Sequence, residues 1–185
     1  VRKFFIKIPK DSLPYFSAAV EAAQIVKVAK VSEQQKDITR KQLIEIRNRI
    51  LTGEDFGKLA KEFSDDPSVA GNNGNMGWVG RGKMVPEFEA MAFKLKQNEI
   101  SMPFESQFGF HIMQLIERRG NEYNSRHILI SAKPSPSDLV DAKNYLDSLR
   151  GLIGPDKMPF QKAAKEYSDD VATKGNGGFF TGADE

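Results

Sequence analysis

Hydrophobic and polar positions alternate between two periods along the chain. After the apolar-rich opening VRKFFIKIPK, in which Pro9 and Pro14 limit regular structure, residues 22–29 (AAQIVKVA) suit a strand. Ser32-Glu33-Gln34-Gln35 has the form of a capping box, and Leu43, Ile46 and Ile50 then recur at helical spacing until Gly53. A second helix is predicted from Glu54 to Phe63, followed by an Asp-, Asn- and Gly-rich loop over 65–77. MGWV (76–79) reads as a short strand, Pro86 as the first residue of a helix, and Asn98 as a turn. Residues 100–106 and 110–116 read as two strands joined through Gln107-Phe108-Gly109. Then the pattern begins again: SRHILIS (125–131) as strand, a helix with Leu139, Ala142, Leu146 and Leu149 on one face, a helix over FQKAAKEY, and a Gly-rich loop.

The restart is a duplication. FGKLAKEFSDD, Phe56 to Asp66, returns as FQKAAKEYSDD, Phe160 to Asp170, with eight of eleven positions identical at an offset of 104 residues. One long unit recurring once is a domain duplication and not a solenoid. The expected organisation is an N-terminal arm or linker over 1–20, a complete domain over 21–119, a linker over 120–123, and the N-terminal part of a second domain over 124–185. Strand, three helices with a short strand among them, and two closing strands give an α+β fold, an antiparallel four-stranded sheet packed with helices. The second copy lacks the proline-started helix and both closing strands, so its sheet is expected to expose polar edges or to borrow one. The chain opens at Val1 with no methionine, as a piece of a longer protein would.

Composition narrows the chemistry. With 39% hydrophobic and 28% charged residues the chain is globular in character, and no apolar run reaches membrane-spanning length. Lysine and arginine number 27 against 25 acidic residues and are dispersed, which argues against nucleic acid as a partner. Cysteine is absent, excluding disulfides and thiol catalysis; with two histidines, His111 and His127, no metal site is expected.

The stretch LAKEFSDDPSVAGNNGNMGWVGRGKMVPEFEAMAFKLKQNEISMPFESQFGFHIMQLIE in the first copy and RHILI in the second resemble the parvulin family of peptidyl-prolyl cis-trans isomerases. The likeness covers residues 21–119 and 124–182. It implies a parvulin-like fold and rotation about Xaa-Pro bonds, whose barrier of about 18–20 kcal/mol comes from amide resonance. No group is transferred overall, so no cofactor is implied. Such a site needs an apolar socket for the proline ring beside polar groups that favour the twisted amide. The resemblance places the socket on Met76, Met84 and Phe88, and the polar cluster on Gln24, Asp66, Ser106 and His111. His127 and Asp170 would be the matching part of a second, partial site.

Gln24 departs from the family pattern: it stands where the second copy has His127, and glutamine does not titrate. Three readings therefore remain open: an isomerase, a binding module that holds peptide without turning proline over, and a structural spacer that docks on a neighbouring part of the protein. On residue type alone, Met76, Met84 and Phe88 suit a core, His111 a bonded structural histidine, and Asp65-Asp66 a solvated turn. Lys27 and Lys30 are separated by apolar residues, so phosphorylated targets are not indicated. Tandem modules of this kind resemble those of periplasmic chaperones, which implies unfolded or proline-containing polypeptides as partners, outer-membrane proteins among them.

Overall fold

In the computed structural model, which describes residues 21–180, the first helical period forms α1 (Glu33–Leu51), with Thr39, Leu43 and Ile46 buried along one face. The expected arm over 1–20 lies outside the described residues. Ser32 precedes α1, yet no capping box forms: its hydroxyl and its N–H both turn to Asp138 Oδ2, at 3.3 and 3.4 Å. Asp55 caps α2 (Phe56–Phe63) by accepting the Lys58 N–H at 2.8 Å, and Phe56, Leu59 and Ala60 are buried. The predicted loop holds a single helical turn, α3 (Val69–Asn72), before β1 (Asn75–Gly80). Pro86 opens α4 (Pro86–Lys94), where its missing N–H costs nothing.

The strand expected over 100–106 is broken. Ile100 bridges to Gln114, but Pro103 supplies no N–H to a ladder, and regular pairing resumes only in β2 (Phe104–Ser106). β3 (Gly109–Arg119) runs back along it and continues into β4 (Glu122–Ile130). Three helices follow among the described residues: α5 (Pro136–Leu152), α6 (Phe160–Tyr167) and α7 (Val171–Lys174).

The pairings within the four-stranded sheet are antiparallel, in the order β1-β4-β3-β2. Side chains alternate across the sheet. Phe110, Ile112, Ile128 and Ile130 meet Leu43, Ile46, Phe56 and Leu59 on one face. Met113, Leu115 and Tyr123 meet Phe88, Ala92 and Leu95 of α4 and its C-cap on the other. The expected α+β architecture is thus present once, complete, within residues 29–142.

The division of the chain differs from the expected one. Residues 29–142 form one compact unit; residues 143–180 together with 21–28 form the other. The expected linker over 120–123 is instead the two-residue turn Gly120-Asn121, flanked by the last pair of the β3–β4 ladder, Arg119 with Glu122. The strand predicted to open the first copy, 22–29, is absent from that sheet, and β4 holds the central place beside β1 and β3. A strand two residues from its partner closes a short loop at little entropic cost, whereas one at the start of the chain must be brought back across the whole unit.

In the second unit, residues 21–28 run extended and bridge to Phe179 at Ala23. Gln24 N–H donates to Gly178 O at 2.8 Å, Asp169 N–H to Val26 O at 2.8 Å, and Phe180 N–H to Ala22 O at 3.1 Å. The half-domain expected to need an edge therefore borrows one from the start of the chain. Ile112, fully buried on β3, should report on the complete unit: Ile112→Ala is expected to lower its unfolding free energy by about 2–5 kcal/mol, read from the urea midpoint. Leu51→Ala, at an exposed position, should stay within about 0.5 kcal/mol.

Candidate functional site

The end of α2 is stitched to β4. Ser64 caps the helix in extended conformation, and its hydroxyl oxygen accepts the N–H of Asp66 at 3.3 Å and of Leu129 at 3.1 Å. Asp65 N–H donates to Leu129 O at 2.7 Å, and its carboxylate accepts Ser131 N–H at 2.8 Å. These bonds carry Asp66 to the sheet face that bears His127. Asp66 Oδ2 lies 3.1 Å from His127 Nε2 and also accepts the Ser68 hydroxyl, while Oδ1 accepts Ser68 N–H, both at 2.9 Å. Burial alone would raise the Asp66 carboxyl; the two Ser68 bonds and His127 outweigh it and hold the group below its ordinary value.

His111 and His127 sit on adjacent strands of one face, ring centroids 5.7 Å apart, with the Phe88 ring edge-on to both at 5.8 and 5.4 Å. Phe104 stacks on His111 at 5.3 Å. Burial pushes both imidazoles toward the neutral form. Asp66 offsets this only in part at His127, and His111 falls to about 4, with His127 as the next contribution. A neutral His127 bound to a carboxylate carries its proton on Nε2 and donates it; Nδ1 then faces Met76 Sδ at 3.0 Å. His111 Nε2 shares a 2.7 Å bond with Ser106 Oγ, and its Nδ1 has no hydrogen-bond partner among the described residues. No carboxylate orients His111, so the Ser106–His111 pair lacks the third member of a nucleophilic triad.

Beside these groups lies a cavity of about 290 Å³, walled by Met76, Met84, Val85, Phe88, Phe108 and Leu129, with Pro67 at its rim. Asp66, His111 and His127 supply its polar edge. Among the described residues no cluster of acidic, histidine or cysteine side chains is suited to hold a metal ion.

Six of the residues singled out from the sequence come together here: Asp66, Ser106, His111, Met76, Met84 and Phe88. Gln24 does not. Its side-chain amide donates to Asp170 Oδ2 at 2.9 Å in the second unit, and His127, expected in a second partial site, stands opposite Asp66. The cause is strand placement, which brings β4 and not residues 22–29 to the central slot. Asp170 also accepts Ala172 N–H at 3.1 Å and the Thr173 hydroxyl at 2.6 Å. Sequence reading missed Phe104, Phe108 and Leu129. Leu129 was recoverable, since it follows His127 by two on a strand, and Phe108 was marked by being an aromatic residue in a hairpin connection.

Residues 25–117 match a family described as the PPIC-type PPIASE domain, and residues 117–184 match a second family with the same description. The foldase protein PrsA of Geobacillus kaustophilus (strain HTA426) is 49% identical over 108 residues, 57% of this chain and 38% of its own length. The chaperone SurA of Nitrosococcus oceani is 46% identical over 112 residues, 58% of this chain and 26% of its own length. The chain thus spans well under half the length of these curated relatives. The crystal structure of the peptidylprolyl isomerase PrsA from Bacillus cereus covers 60% of this chain and 38% of its own, at 31% identity and a TM-score of 0.38.

The neutral histidines give stability a definite pH dependence. Above the unfolded value near 6.5 neither state binds the protons; below it the unfolded chain does and the folded one does not. Stability should therefore fall from about pH 6.5 toward pH 4, by on the order of 3 kcal/mol for His111 if its whole shift is expressed. The Asp66 contribution is lost only lower, as pH drops through its depressed folded value below 3.8. Urea unfolding at pH 7.5 and 5.0 measures the upper window, in which His111 and His127 are the chain's only histidines. Equal midpoints would show that the rings are not held neutral.

Proposed function

The chain belongs to the PPIC-type peptidyl-prolyl isomerase family, and from that premise we propose that residues 29–142 bind extended polypeptide at a proline and catalyse rotation about the preceding Xaa-Pro bond. The observation that carries this reading is the union of a small apolar cavity with two hydrogen-bonded polar pairs, Asp66 with His127 and Ser106 with His111.

The proline ring enters between Met76, Met84 and Phe88, with Phe108 at the hairpin tip closing over it. Thioethers and phenyl rings make a wall that adapts to the ring in both isomers and throughout the turn. At about 290 Å³ the cavity holds a proline ring together with part of its neighbouring chain, at the small end of ligand sites. The planar amide owes part of its barrier to charge separation that water stabilises, so moving it against an apolar wall weakens resonance and lowers the barrier. The twisted amide nitrogen regains a lone pair, and the Ser106 hydroxyl, free to donate when its oxygen accepts the His111 Nε2–H, binds it better than the planar form. Asp66 keeps His127 in one tautomer and one orientation. Nothing is oxidised, reduced or covalently bound in this scheme.

The binding-only alternative rested on glutamine opposite Asp66; His127 stands there, and no observation now favours it for this unit. We further assign the chain to the periplasm, acting on unfolded polypeptides and on outer-membrane proteins among them. The names of the relatives, foldase and chaperone, support unfolded polypeptides as substrates, and the resemblance of the tandem modules to those of periplasmic chaperones supports the compartment and the outer-membrane clients. No described helix is long and apolar enough to cross a membrane.

Cis-trans exchange in a short Xaa-Pro peptide, followed by NMR with the 185-residue chain added, is the test. Wild type should accelerate exchange, and Asp66→Ala should lower kcat/KM roughly 10- to 100-fold while the chain still unfolds cooperatively in urea at pH 7.5, at a midpoint lowered by the loss of its bonds to Ser68 and His127. Met84→Ala, which opens the socket, should act mainly through KM. Peptide binding without acceleration by wild type would refute the isomerase reading.

A further inference from the structure

Each Ser-Asp-Asp loop holds the strand that belongs, by sequence, to the other repeat, and the two sets of bonds correspond atom for atom. Leu129 N–H donates to Ser64 Oγ at 3.1 Å, and Val26 N–H to Ser168 Oγ at 3.2 Å. Asp65 N–H reaches Leu129 O at 2.7 Å, and Asp169 N–H reaches Val26 O at 2.8 Å. Ser131 N–H meets Asp65 Oδ2 at 2.8 Å, and Val28 N–H meets Asp169 Oδ2 at 3.0 Å. His127 N–H donates to Gly74 O at 2.9 Å, and Gln24 N–H to Gly178 O at 2.8 Å. Both glycines have positive φ, +77° and +85°, and a Cβ on either would collide with the carbonyl oxygen of the strand residue, His127 or Gln24.

Two side-chain bonds depend on what the strand carries. His127 Nε2 lies 3.1 Å from Asp66 Oδ2, and Gln24 Nε2 lies 2.9 Å from Asp170 Oδ2. A glutamine amide nitrogen thus takes the place of the imidazole Nε2 as donor to the same carboxylate oxygen. Lys27 Nζ lies 3.0 Å from Asp169 Oδ2, where the matching strand residue, Ile130, has no charge to offer Asp65. The loops are identical Ser-Asp-Asp sequences, so nothing in these bonds ties either strand to one loop.

We propose that the two strands are exchangeable, and that whichever fills the slot beside Ser64–Asp66 decides whether that site faces Asp66 with His127 or with Gln24. The His127 form is the one in the structure, favoured by the Gly120-Asn121 hairpin and by pairing of β4 on both sides. In the Gln24 form the carboxylate keeps a donor, but the ring packed edge-on against Phe88 and beside His111 is gone. The site loses its titrating partner for Asp66 and becomes a looser holder of the same proline segments. The effect on turnover rests on the proposed isomerase activity; the exchange itself does not. Because β4 must leave the sheet, interconversion is a local unfolding event and slow compared with loop motion.

The cysteine-free sequence permits a direct test in the whole 185-residue chain. Trp78 is the β1 partner of Asn124, and Glu21 is the counterpart of Asn124 at the strand offset of 103. Trp78→Cys with Asn124→Cys reports the observed arrangement; Trp78→Cys with Glu21→Cys reports the exchanged one. Both should bridge within a single chain and give products that unfold cooperatively in urea, the second forming about 10- to 1000-fold more slowly as befits a minor state. The second product should isomerise Xaa-Pro peptide at least about 10-fold more slowly than the first, and adding Gln24→His should restore it while leaving the first unchanged. If only the Asn124 pair gives a folded single-chain product, the strands are not exchangeable and the proposal fails. If both pairs bridge but neither product accelerates exchange, it is the isomerase reading that fails, and the strand exchange stands.

Discussion

The pairing of β4 with β3 across Gly120-Asn121 is the constraint on which the rest of the structure depends. It runs from Arg119 and Glu122 at the turn to Phe110 and Ile130 at the far end, and β4 then offers its other edge to β1. Strand alternation then assigns the faces. With Ile112 and Ile128 committed to the face under α1 and α2, His111, Met113 and His127 must point to the face under α4. A slip of one residue would exchange the two sets and put both histidines into the aliphatic core. Register therefore serves packing and the site at once.

Electrostatics acts on the groups that register has brought together. Two imidazoles are buried side by side among Phe88 and Phe104, an environment that disfavours charge on either. Asp66 stays ionised close by because Ser68 and His127 give it three donors. The site thus presents one carboxylate, two neutral rings, a hydroxyl and an apolar wall. That combination suits a reaction in which charge separation decreases at the amide and no proton has to travel, and it leaves the histidines to act as fixed dipoles. The loop that carries Asp66 owes its position to Ser64, whose oxygen accepts N–H groups from both the loop and β4.

Much of this was legible in the sequence. Apolar spacing located α1 and α2, Pro86 marked the start of α4, and the repeat of FGKLAKEFSDD showed that the unit was used twice. Met76, Met84, Phe88, Asp66, Ser106 and His111 were all recognisable as one site. The single turn α3 was too short to show a period. What local pattern did not reveal was which of two similar strands fills the central slot, because strand pairing is a long-range choice between AAQIVKVA and SRHILIS, and both fit a half-buried strand. The deciding cue was present all the same: two strand patterns separated by Gly120-Asn121 form a tight hairpin signal, and reading 120–123 as a domain linker concealed it. Gln24 was misplaced for that reason alone.

The most direct measurement of which strand faces Asp66 is a set of proton–proton Overhauser contacts in the isotopically labelled 185-residue chain. With β4 in the central slot, the His127 ring protons should show contacts to the Met76 methyl group and to the Phe88 ring, as their packing requires. The Gln24 side-chain amide should show contacts to Thr173 and not to Met76. Contacts of the Gln24 amide with Met76 and Phe88, with none from His127, would show that the first strand of the chain fills the slot and would contradict the central claim.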